Sequence, residues 1–335
     1  MFSITLILFF IAVAQAQGTQ NWVFPTGNIV YTSPSPGAAD AVHLDSSSED
    51  NSKVGVFRNG VWVLDFNGNG GFDDCETDRC VGFGLAEDLP VTGDWNGSGT
   101  AKVGVFRNGA WFLDFNGNEG FDDCETDRCV SFGLAEDFPV TGDWNGSGTA
   151  KVGVFRNGEW VLDFNGNGRF DDCETDRCVS FGLAEDLPVT GDWNGSGTAK
   201  VGVFRNGVWF LDFNGNGRFD DCETDRCVGF GLAEDLPVTG DWNGSGTAKV
   251  GVFRNGAWFL DFNGNGGFDD CETDRCVGFG LAGDLPVILG QPPGKLPVLF
   301  YPGPKFDAGT GSVSVAVADL NNDGTSDLVH RKWGF

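Results

Sequence analysis

The sequence predicts an all-β fold, a β-propeller of about six four-stranded blades (six or seven), and three observations carry that reading. A 49-residue unit recurs five times, beginning at Lys53, Lys102, Lys151, Lys200 and Lys249. Each unit holds four short strand-like runs, and nowhere does an apolar period of 3.6 residues persist long enough for a helix. Four strands in about 40–50 residues is the size of one propeller blade, whereas β-solenoids repeat at a shorter period.

In the first unit, Val54–Phe57 and Trp62–Phe66 flank Asn59-Gly60, a pair that supplies the two positive-φ positions of a type I′ turn, so they form a hairpin. Cys80–Phe83 and Leu89–Trp95 are two further strands; Pro90 makes the latter an edge or a strand start. Residues 41–289 therefore hold the repeated blades, the first starting near Ala41 with a degenerate loop at His43–Lys53. Residues 17–40 offer loose strands at Trp22–Phe24 and Ile29–Tyr31 before a Ser/Pro linker. Residues 290–311 are Pro/Gly-rich and irregular, and 312–335 hold strands at Val313–Ala318 and Asp327–Arg331. Two strands at each end predict joint closure, as a sixth blade that removes exposed sheet edges.

Residues 1–16 read as a signal peptide: an apolar run from Ile4 to Val13, then Ala14-Gln15-Ala16 with small residues at a cleavage site. The run is too short to span a bilayer comfortably, and no later segment is apolar enough. Export agrees with the ten cysteines, which form five Cys-Glu-Thr-Asp-Arg-Cys motifs. Each is expected to close on itself, as Cys75–Cys80, Cys124–Cys129, Cys173–Cys178, Cys222–Cys227 and Cys271–Cys276, because every repeat can satisfy that pairing independently. A formal charge of −27 argues against nucleic acid and anionic membrane surfaces as partners.

Two loops recur. The first, from Asp65 to Glu76, matches the D-x-[DN]-x-[DN]-G-x5-E pattern of a calcium loop, in which alternate oxygens on a tightly turned backbone converge on a hard cation. Its candidate ligands are Asp65, Asn67, Asn69, the Gly71 carbonyl, Asp73 and Glu76. The later copies give Asp114, Asn116, Asn118, Asp122 and Glu125; Asp163, Asn165, Asn167, Asp171 and Glu174; Asp212, Asn214, Asn216, Asp220 and Glu223; and Asp261, Asn263, Asn265, Asp269 and Glu272. The other reading is a Gly-rich Asx turn whose acids face water. In the second copy Glu119 replaces a glycine, at a cost of roughly 1–2 kcal/mol if that position is left-handed. The second loop, Asp94–Lys102, ends on a lysine whose ammonium competes for the same oxygens, so an internal Asp–Lys pair is expected. Near the C-terminus, Asp319, Asn321, Asp323, Thr325 and Asp327 form the best single calcium candidate.

At Pro-Val-Thr-Gly-Asp-Trp-Asn-Gly-Ser-Gly-Thr-Ala-Lys-Val-Gly-Val-Phe-Arg-Asn-Gly, and at Val-Ala-Asp-Leu-Asn-Asn-Asp-Gly-Thr-Ser-Asp-Leu near the end, the chain resembles FG-GAP/VCBS repeats over roughly residues 41–335. Those repeats build the propeller of integrin α-chain heads and of many secreted bacterial proteins, and the resemblance implies calcium between two strands of a blade. Only the C-terminal loop keeps the full acidic pattern; the five repeats depart from it by Ser at position 5 and Lys at position 9.

The enzyme class has little support. The two histidines, His43 and His330, lie outside the repeats, there is no Ser-His-Asp, HExxH or phosphate-loop pattern, and an active site copied five times would be unusual. A multivalent binding or adhesion module for an extracellular glycan or surface protein explains the repetition; a purely structural matrix or cell-wall role, or a propeller attached to a polysaccharide-acting enzyme, are the alternatives. Trp95, Trp144, Trp193 and Trp242 recur in one loop and are candidate sugar-stacking residues, or else pack between blades. Asn96, Asn145, Asn194 and Asn243 open Asn-Gly-Ser sequons.

Overall fold

The computed structural model describes residues 52–290, together with Ile29–Val30, His43–Leu44, Ser312–Ala318 and Asp327–Lys332. The chain divides into two units, and the larger, Ser48–Leu296, holds five antiparallel four-stranded sheets. Blade two is Leu89–Gly93, Lys102–Arg107, Ala110–Leu113 and Arg128–Ser131, hydrogen-bonded in that order; blades three, four and five repeat the arrangement from Phe138, Leu187 and Leu236. The hairpins form as the sequence dictates: Asn59 and Gly60 take φ of 52° and 82°, and the same pair recurs in every blade.

Blade one corrects the expected blade count and mode of closure. Its second to fourth strands are Lys53–Arg58, Val61–Leu64 and Arg79–Gly82, and its first is Leu285–Leu289, from the end of the fifth repeat. Leu285 pairs with Phe57 in the register that sets Leu89 opposite Phe106 in blade two. The reason is arithmetic. Each repeat ends on the strand that starts the next blade, so five repeats leave one such strand over and one blade lacking it. Pairing the two closes a ring of five complete four-stranded blades, each left with only a short outer edge, and among the described residues no sixth or seventh blade is built. The flanking strands do not close it: Ile29–Val30 pairs with His43–Leu44, and Ser312–Ala318 with Asp327–Lys332, as separate two-stranded sheets. The expected signal peptide (1–16), the strand at Trp22–Phe24, the Ser/Pro linker and the irregular segment after Gly290 lie outside the described residues.

The first strands line up around the ring. Thr141 Oγ donates to the Thr92 carbonyl at 2.9 Å, Thr190 to Thr141, Thr239 to Thr190, and Thr92 to Ile288 at 2.7 Å. Ile288, in the threonine position of the fifth copy, has no hydroxyl to give. The core lies between blades: Trp111 and Leu113 of blade two pack with Val152 and Val154 of blade three, and the other interfaces repeat this. Trp111 is fully buried, meets Phe106 edge-on at 5.0 Å, and donates its indole N–H to the Phe132 carbonyl at 2.8 Å. Truncating such a tryptophan costs about 3–5 kcal/mol, so five copies anchor the ring.

Candidate functional site

Because each blade is an up-and-down meander, successive connections alternate between the two faces of the ring. One face carries the Asn-Gly hairpin turns and the blade-to-blade connections such as Gly84–Asp88. The other carries the Asp94–Ala101 and Asp65–Thr77 loops and their copies.

On the loop face, Lys102, Lys151, Lys200 and Lys249 are each the internal cation of their loop, whereas Lys53 donates to the Phe66 carbonyl at 2.7 Å. Lys102 Nζ donates to Asp94 Oδ1 (3.1 Å), Asn96 Oδ1 (2.8 Å), Ser98 Oγ (2.6 Å) and the Thr100 carbonyl (2.9 Å). Lys151, Lys200 and Lys249 repeat the contacts to the aspartate, the serine and the threonine carbonyl at 2.5–3.0 Å. The expected Asp–Lys pair is thus the centre of an oxygen cage. The Asp94 carboxylate also accepts Ser98 N–H and Gly99 N–H, which holds the turn independently of the lysine. The sequon asparagines are committed as well: Asn96 Nδ2 donates to the Phe115 carbonyl at 2.8 Å, and its three copies do likewise.

Trp95, Trp144, Trp193 and Trp242, the candidate sugar platforms, are core residues, each at most 3% exposed. Their rings lie against the preceding glycine (a Cβ on Gly93 would meet the Trp95 ring at 2.5 Å), and Trp95 Nε1 donates to the Val103 carbonyl. The structure therefore shows the packing alternative, and these indoles offer no face to a ligand.

The structure assembles part of the predicted calcium loop. Asn67 and Asn69 both donate their amides to Asp73 Oδ2, at 2.9 and 2.7 Å, while their Oδ1 atoms accept Asn69 N–H and Gly71 N–H as Asx turns. Asp65 is buried and accepts Gly70 N–H at 2.8 Å. Glu76 is exposed, and its backbone N–H is capped by Asp74. The four later copies repeat these Asx bonds, with Asp114, Asp163, Asp212 and Asp261 buried in turn. A residue that sequence reasoning missed holds the loop shut: Asp78, fully buried, accepts Phe66 N–H and Asp73 N–H. Its place inside the Cys-Glu-Thr-Asp-Arg-Cys motif was visible, but its direction was not. All five disulfides close within their own repeats, with Cα–Cα separations of 5.1 Å.

Burial pushes Asp65, Asp114, Asp163, Asp212 and Asp261 above the ordinary carboxylate value, partly offset by backbone N–H donors. Asp74 and its copies go the other way, pulled down by backbone N–H bonds from Thr77 and Glu76. Among the described residues no three His, Cys, Asp or Glu side chains are gathered as metal ligands. The oxygen-rich donor set nonetheless fits a hard cation, and one observation favours it: Asp65 Oδ1 is the one buried side-chain polar atom among the described residues with no hydrogen-bond partner. In the later copies the corresponding oxygen accepts an N–H, as Asp163 Oδ1 does from Gly166. The C-terminal candidates Asp319, Asn321, Asp323 and Thr325 lie outside the described residues, and Asp327 begins a strand.

The loop also joins neighbouring blades. Phe121, half-exposed, wedges against Phe83 of blade one and Phe112 of its own blade. Arg128, Arg177, Arg226 and Arg275 each donate to a glycine carbonyl in the next blade's loop at 2.7–2.9 Å. Arg79 instead pairs with Glu119, which sits at φ 68°, the left-handed conformation expected for that position.

On the hairpin face, each connection is clamped. Asp88 is buried and accepts Arg107 Nε and Nη2, both at 2.6 Å, and Leu85 N–H at 2.7 Å. The pairs Arg156–Asp137, Arg205–Asp186, Arg254–Asp235 and Arg58–Asp284 repeat it, the last binding the two ends of the ring together. Sequence reasoning did not find this face. A cavity of about 10 Å³ lined by Trp144, Lys200 and Asp212 lies inside the blade stack and has room for one water at most.

No protein-family model matches the chain, and no curated protein matches it. Among solved structures, one described as the structural basis of specific recognition of non-reducing terminal N-acetylglucosamine by an Agrocybe aegerita lectin is similar: it is 18% identical and covers 83% of this chain and 70% of that chain, with a TM-score of 0.38. By its strand order and its five self-closed cysteine motifs, the chain is a five-bladed β-propeller of near-identical, disulfide-closed repeats.

Proposed function

We propose that this protein is an exported, multivalent binding module, which presents one surface five times to an extracellular glycan or surface protein and does not turn it over. The observation that carries the reading is the near-equivalence of the blades: most of the residues that meet solvent in one blade recur in the others, among them Leu85, Leu134, Leu183, Leu232 and Leu281, on a closed frame. Weak contacts repeated around an axis multiply through effective concentration. Catalysis calls for one asymmetric, substrate-sized cleft, and the cavity between blades three and four is far smaller. Five disulfides suit an oxidising, extracellular setting.

Calcium belongs to this proposal, held in the Asp65–Glu76 loop and its copies; the orphaned Asp65 Oδ1 supports it most directly, in blade one. A hard cation there would neutralise buried carboxylates and stiffen the loop. The test has two arms. Binding to glycan arrays and to immobilised cell-surface protein is measured with ligand spaced densely and sparsely; avidity at high density supports the module, and equal affinity at both densities, or release of a cleaved product, overturns it. Scanning calorimetry with and without millimolar calcium tests the ion, since a native-state ligand raises the melting temperature; no shift and no heat of binding rejects it.

A further inference from the structure

Nine of the large apolar side chains exposed in the five blades lie on the hairpin face, and all but one of these are aliphatic. The most exposed are Leu85, Leu134, Leu183, Leu232 and Leu281, each at 58–59% and each on the same blade-to-blade turn. These turns are not loose. Asp88 N–H donates to the Leu85 carbonyl, Leu85 N–H to Asp88, and the bidentate Arg107 locks the carboxylate from the other side. A single exposed leucine needs no explanation, but five held rigidly at one exposure around a ring form a repeated apolar surface.

We propose that this face docks the basic, apolar-studded surface of a partner protein. The inference rests on the multivalent-binding reading above and names the partner's chemistry. Charge decides among the possible occupants. Two residues after four of these leucines, Glu87, Glu136, Glu185 and Glu234 are exposed and pair with no cation among the described residues, while Gly283 takes that place after Leu281. The arginines of the face are each committed to a buried aspartate, so they do not neutralise these glutamates. A second copy of this chain docked face to face would set carboxylate against carboxylate, which is repulsive. A glycan would find leucine where it needs aromatic faces and free donors. A surface that carries Lys or Arg between apolar side chains meets both features at once, and the ring lets several such contacts act together.

The probe is an immobilised amphipathic Leu/Lys peptide, compared with a Ser/Lys peptide of equal charge and a Leu/Glu peptide, measured by interferometry on the full chain. The expected result is at least tenfold tighter binding of Leu/Lys than of either comparator, weakening as salt rises. Changing all five leucines to Ser should bring Leu/Lys down to the Ser/Lys level; changing Glu87, Glu136, Glu185 and Glu234 to Gln should lower Leu/Lys binding and flatten its salt dependence. Circular dichroism checks both variants, and the Gln variant keeps the test open if the Ser variant fails to fold. Equal binding of Leu/Lys and Ser/Lys, or Leu/Lys binding untouched by both variants, overturns the proposal. Glycan binding lost in a folded Leu→Ser variant overturns the protein partner while leaving the multivalent module standing; failure of all ligands to show avidity overturns the module itself.

Discussion

Replacing Lys151 by Met removes an ammonium from a cage while leaving the cage intact. Lys151 and Asp143 have side chains only 6% and 1% exposed, and Nζ gives its protons to Asp143 Oδ1, Ser147 Oγ and the Thr149 carbonyl. Removing one partner of a buried pair costs about 3–5 kcal/mol, because the other charge stays behind without compensation. Here the lower end, about 3 kcal/mol, is expected, since Ser147 N–H and Gly148 N–H still reach the Asp143 carboxylate at 3.0 and 2.6 Å. The fifth blade grades the effect: Asp241 is 21% exposed, so Lys249→Met should cost clearly less. Lys151→Arg should recover less than half of the loss, because a planar fork cannot be ringed by the same three oxygens. Urea unfolding reports the energy, and hydrogen exchange at Ser147 and Gly148 localises it. A Lys151→Met loss below about 0.5 kcal/mol, the size of a surface pair, would refute the cage.

Three further expectations follow from other parts of the ring. Glu119→Gly should stabilise by about 0.5–1 kcal/mol, relief of the left-handed φ outweighing the exposed pair with Arg79; a loss of melting temperature contradicts this. Val287→Pro, in the closing strand opposite Gly55, should open blade one and add oligomers in light scattering through the freed edge of Lys53–Arg58, and an unchanged profile with wild-type melting would count against closure by that strand. In pH titration by carboxyl NMR, Asp65 and its copies should titrate above 3.8 and Asp74 and its copies below it. The native state holds protons on the first set more tightly than the unfolded chain, so that contribution to stability grows as pH falls towards 3.8. The second set stabilises above 3.8 and loses its contribution as pH falls through its lowered value. One family of curves centred at 3.8 would remove the basis for both signs.

Much was legible in the sequence because it is local. Asn-Gly turns, the four strands of a repeat, the self-closing cysteine motif and the Asp–Lys loop each depend on residues within about a dozen positions, and the chain repeats them five times. Blade number was not local: counting strands at both ends suggested a sixth blade, whereas hydrogen-bond economy set Leu285–Leu289 against Lys53–Arg58, more than 200 residues away. Side-chain direction was hidden for the same reason. Trp95 looks like a loop aromatic until the neighbouring blade covers it, and Asp78 looks like one more acid until the loop folds over it. The sequence by itself determined what a blade is made of, because backbone turns and period-two strands are specified by neighbours in the chain. Only the tertiary structure decided how many blades close the ring, which aromatics are core, and which face keeps its leucines in water, because burial is a property of what arrives from elsewhere.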